Sequence, residues 1–192
     1  MNEIELIRQQ LETERRRAGE VAEACAAVLA RGRTSSDGAA ARAQFVQACV
    51  DYLASVLMRF EERDQRLSDL WRAHRAADDP MRRRLEELLP SRGRSREALE
   101  RLEAALAPQP AVSAGEDRRA WEEFAQFFRG AWSVRRAALD ALLATSVRTA
   151  DWRAVAGVDA DSILEERERY ARVGAAPSSK APPSPPSAPP GA

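Results

Sequence analysis

Histidine is nearly missing from this chain: His74 is the only one among 192 residues. Helical proteins that carry a metal pair or a haem build those sites largely from inward-facing histidines and carboxylates. A single imidazole cannot supply a di-iron site. The ferritin-like alternative needs paired Glu-x-x-His motifs, and the residue three before His74 is Trp71. Cysteine is scarce too. Cys25 and Cys49 lie in apolar helical patterns at no zinc-site spacing, which favours small buried thiols over a disulfide framework or a metal knuckle. His74 as a haem ligand is a reading without further support, and an interhelical or surface histidine near a helix end is the simpler one.

Net charge is absent as well. Thirty basic and thirty acidic residues cancel, so no long-range field would draw nucleic acid or an anionic membrane. No apolar run reaches the ~18 residues that a membrane span requires. The opening Met1-Asn-Glu-Ile-Glu-Leu is charged and lacks a secretory pattern, so a cytoplasmic location is expected. Lysine occurs once, at Lys180; the arginine and alanine usage fits a GC-rich bacterial genome. Gly-rich phosphate loops, nucleophile elbows and Cys/His catalytic pairs are also missing, so no enzyme activity and no cofactor are expected.

What the chain does have is helical periodicity. Ile4, Ile7, Leu11, Glu14, Ala18, Val21, Cys25 and Val28 step by three and four to about residue 30. A polar stretch around Arg31–Gly38 reads as a reversal. A second helix is predicted over about 39–76. One of its columns is Val46, Leu53, Phe60, Leu67 and His74; the others are Cys49, Val56, Arg63, Leu70 and Val50, Leu57, Asp64, Trp71.

Asp78-Asp79-Pro80 is a helix start with acidic capping and proline at the first position. The following segment, through Leu106, is interrupted at Pro90 and Gly93, predicting a kink or two short helices. After a Pro-containing connector, Ser113 and Glu116 resemble a capping box for a helix over about 116–147. Its face carries Trp121, Phe124, Phe128, Trp132, Arg135, Leu139 and Leu142, with Phe127 at one edge as a partner surface. Two shorter helices begin near Thr149 and Asp159, the second ending near Val173. From Gly174 the chain holds seven of its eleven prolines and is expected to be a disordered tether, giving a helical domain over 1–173 and a tail over 174–192.

Charges interrupt the apolar faces. Glu14 breaks the first seam, Arg63 and Asp64 break two columns of the second helix together, and Arg135 breaks the fourth. A charge facing a helical core must be paired or must ligate something. Two arginines and two acids form a self-sufficient set, because a guanidinium can satisfy both oxygens of a carboxylate. The alternative is an inward polar site that binds a ligand.

Three stretches resemble the hemerythrin-like (HHE) four-helix bundles: Leu11-Glu-Thr-Glu-Arg15, the segment Tyr52–Leu67, and Trp132-Ser-Val-Arg-Arg136 with Thr149-Ala-Asp-Trp152. The resemblance spans residues 4–173. It implies an all-α, up-down four-helix bundle with extra short C-terminal helices, and a di-iron centre for oxygen, nitric oxide or iron handling. The chain departs from that pattern at the metal. Arg15, Phe60 and Trp132 stand where histidines would be, and only Asp64 keeps a carboxylate role.

The expectation is therefore a degenerate member: a non-catalytic interaction or regulatory protein without a metal, its core polar cluster being Glu14, Arg63, Asp64 and Arg135. The alternative is a metal- or small-molecule-binding sensor (oxygen, nitric oxide or iron) using Glu14, Asp64 and residues of a partner chain. A protein partner or self-association is expected. Nucleic acid is not, because the arginine runs at 15–17, 82–84 and 92–96 have acids nearby and no recognition module accompanies them. Carboxylate pairs such as Glu61-Glu62 and Glu86-Glu87 read as solvated surface.

Overall fold

The computed structural model describes residues 3–30, 36–106, 114–143, 149–157 and 160–177, and among them it is all-helical. The helices are α1 (Glu3–Ala30), α2 (Ser36–His74), α3 (Pro80–Leu88), α4 (Ser91–Leu106), α5 (Ala114–Leu143), α6 (Thr149–Ala156) and α7 (Ala160–Ala175). The Pro-rich tail beyond residue 177 and the 31–35 and 107–113 connectors lie outside the described residues. Helix α7 continues through Gly174 to Ala175, slightly past the expected boundary.

The α3 start follows the sequence. Pro80 occupies the first turn, and the Asp79 carboxylate accepts from the Met81 and Arg82 amides at 2.8 and 3.0 Å. Trp71 Nε1 donates to the same oxygen at 3.2 Å, so the cap also fixes the end of α2. Among the two expected interruptions only Pro90 acts as one. It sits in the turn between α3 and α4, where its ring cannot continue a helix, whereas Gly93 lies inside α4.

Helix α2 packs against every other helix. Its apolar columns explain this: Val46, Val50, Leu53, Val56 and Leu57 are all buried, on a face broad enough to serve several neighbours. Glu14 of α1 meets Arg59 and Arg63 of α2 while Cys25 meets Cys49, so α1 and α2 run in opposite directions. Phe60 and Asp64 of α2 meet Phe128 and Arg135 of α5 in the same order, so α2 and α5 run in the same direction. Helix α4 packs mainly on α5, while α6 and α7 lie against α1 and α2.

Among the described residues the core comes in two apolar parts. The larger holds Ala18, Val21, Cys25, Leu53, Phe60, Phe124 and Phe128 among others; the smaller holds Ile7, Leu67, Trp71, Leu85, Ala138 and Val155. Helix α1 passes from one to the other between Ile7 and Ala18, α2 between Phe60 and Leu67, and α5 between Phe128 and Ala138. The three crossings contain Glu14, Arg63 with Asp64, and Arg135.

Candidate functional site

The four charged residues marked by the sequence come together as a belt between the two apolar parts. Glu14 is 2% exposed and fully engaged: Arg59 Nε donates to Oε1 and Arg63 Nη1 to Oε2, each at 2.5 Å. Arg63 also donates through Nε to the Ala156 carbonyl at 2.7 Å, satisfying a carbonyl that the end of α6 would otherwise leave open. Asp64, also 2% exposed, is held by Arg135 in a forked pair, Nε–Oδ1 at 2.8 Å and Nη2–Oδ2 at 2.7 Å. Glu14 and Asp64 thus belong to two adjoining sets, one on α1, α2 and α6, the other on α2 and α5.

Phe60 closes the belt from above. It is buried, its ring stacks on Phe128 at 6.1 Å, and the Arg135 and Arg63 guanidinium carbons lie 5.1 and 5.8 Å from its centroid. These distances are within cation–π range. Phe124 and Trp121 extend the aromatic ladder along α5, and Phe127 is half-buried at its edge. The side chain of Trp132 lies outside the described residues. Arg15, on the histidine position that the resemblance implies, is half-buried and pairs with Glu12 at 3.4 Å. His74 ends α2 in solvent.

No family model, curated protein or solved structure matches this chain. Its chemistry rests on the side chains alone. Among the described residues no group of three or more His, Cys, Asp or Glu converges as a metal site. All four oxygens of Glu14 and Asp64 accept from arginine, so any cation entering here would meet guanidinium groups already at those oxygens.

Two further buried charges, Glu166 and Glu61, were not marked by the sequence. Glu166 of α7 is 1% exposed; it accepts from Arg17 Nη1 at 2.5 Å and from the Tyr52 hydroxyl at 2.8 Å, joining α7 to α1 and α2. The signal was there: Ile163, Glu166, Tyr170 and Val173 step by three and four, as Glu14 does in α1. Nearby, the Tyr170 hydroxyl donates to Glu20 at 2.7 Å and its ring lies 4.8 Å from the Arg17 guanidinium. Burial, then the Glu166 carboxylate, holds the Tyr52 phenol well above the ordinary tyrosine range.

Glu61 corrects the reading of the Glu61-Glu62 pair as solvated surface. It is buried, and Arg96 donates to its Oε2 at 2.8 and 2.6 Å, tying α4 to α2. Glu86, by contrast, stays about a third exposed and is shared between Arg72 and Arg82. Cys25 and Cys49 are buried neighbours on α1 and α2, and the hydrogen bond between them, together with burial, pushes the Cys25 thiol far up.

Around the belt opens a cleft of about 280 Å³. Phe60, Leu11, Leu67 and Val155 give it apolar walls. Arg8, Arg15, Arg63, Arg135 and Arg136 line it as well, against the carboxylates of Glu12, Asp64 and Asp140.

Proposed function

We propose that this protein is a non-catalytic helical interaction or regulatory module of hemerythrin-like, up-down four-helix type, in which arginines hold the inward carboxylates that a metal would otherwise need. The observation that carries this reading is the engagement of every oxygen of Glu14 and Asp64 by Arg59, Arg63 and Arg135. The directions of α1, α2 and α5 support the bundle, with α3 and α4 as its third member, divided at Pro90. Helices α6 and α7 are then additions, anchored through Arg63 and Glu166.

The sensor alternative fares less well for metals. Stripping an arginine from a buried carboxylate leaves an uncompensated charge, and a break of that kind costs about 3–5 kcal/mol. A protein partner or a second copy remains the expected occupant of the outer surface, and comparing the two requires the full chain with its Pro-rich tail. Elemental analysis of freshly purified protein, with an optical spectrum, tests the reading. Folded, colourless protein with only trace metal is the expected result. Near-stoichiometric iron would overturn it.

A further inference from the structure

The geometry points to a second property of the belt: its cleft is a binding site for a small amphipathic carboxylate, an apolar body ending in one anionic head. Size comes first. A volume of about 280 Å³ lies near the lower end of the ~300–1,000 Å³ typical of ligand clefts, which suits a small molecule and leaves little room for a nucleotide.

Charge comes second. Five guanidinium groups line the cleft; Arg15, Arg63, Arg135 and Arg136 are matched by Glu12, Glu14, Asp64 and Asp140, and Arg8 brings an excess of one positive charge in a protein whose overall balance is zero. Asp64 uses Nε and Nη2 of Arg135, and Nη1 of that residue is enclosed without an acceptor, so an incoming oxygen reaches it when the guanidinium turns toward the cleft. A buried donor of this kind calls for an oxygen. Arg8 and Arg136 stand exposed on the lining, from α1 and α5, and give the head group further cations; Arg136 is held only by a long, exposed pair with Asp140 at 3.8 Å. Third, Phe60, Leu11, Leu67 and Val155 offer the apolar walls that a free inorganic anion would not use. Cationic ligands are disfavoured by the same excess, and metals by the engaged carboxylates.

Calorimetric titration of the full chain with octanoate, 1-octanol and octyltrimethylammonium tests this. Octanoate is expected to fill one saturable site per chain, with affinity falling as salt rises. Octanol, sharing the tail but not the charge, is expected to bind about tenfold more weakly, and the ammonium not at all. The double substitution Arg8→Gln, Arg136→Gln removes two lining cations without touching the Asp64 pair and should weaken octanoate about tenfold. Leu11→Trp fills the cleft and should abolish binding while the helical melting curve is retained. No saturable octanoate heat, equal binding of octanol, or unchanged affinity in the double-glutamine variant would each overturn the assignment. None of those failures bears on the non-catalytic reading, whose own test is metal content.

Discussion

Glu14 and Tyr52 show what burial does to a polar group when its partners are specified. Glu14 is as enclosed as the leucines around it and remains tolerable because two guanidinium groups take its two oxygens. Glu14→Ala would leave Arg59 and Arg63 facing the core without their acceptor, and urea unfolding should register a loss of about 3–5 kcal/mol. Tyr52 carries a pH dependence. Its folded-state pKa is raised by burial and by Glu166, so the folded chain keeps the phenolic proton after the unfolded chain has released it. That contribution is complete below the unfolded value of about 10 and is lost as pH rises beyond it. Thermal melts should therefore fall above that pH. Tyr52→Phe should be less stable at neutral pH, because Glu166 loses a donor, and should show a flatter alkaline decline. The thiols follow the same logic: Cys25, buried against Cys49 with its pKa raised, should react with Ellman's reagent only when the protein is unfolded.

Among the helices, the ends depend on single residues. Gly157 follows α6 with φ at 54°, a left-handed conformation that a side chain resists. Gly157→Ala should cost about 1–2 kcal/mol in urea titrations, with the denaturant slope unchanged. Much of this level was legible beforehand. The α1 seam, the α2 columns and the Asp79-Pro80 start were explicit because each arises from local periodicity or local capping. Pro90 breaks the chain and Gly93 does not, since a missing amide and a ring clash terminate a helix whereas glycine only lowers its propensity. Glu14, Arg63, Asp64 and Arg135 were visible as charges in apolar columns, but their pairing was not. Arg59 and Ala156, two of their partners, sit off the predicted stripe and are chosen by tertiary packing. The burial of Glu61 is hidden in the sequence for a related reason: its acidic neighbour Glu62 points to surface, while α4 covers one of the two from a distance in sequence.

Across the whole molecule the belt divides one apolar interior into two parts and ties α1, α2, α5 and α6 at a single level. A layer of this kind fixes the helices along their length, because sliding any one of them would expose a charge to an apolar neighbour. The belt holds because these ions neutralise one another. A double-mutant cycle at Asp64 and Arg135 measures that directly, using Asp64→Leu, Arg135→Leu and the two combined. The predicted result is a coupling energy of about 1–3 kcal/mol, with the double variant more stable than either single one. Strictly additive losses, with no coupling between the two positions, would contradict it.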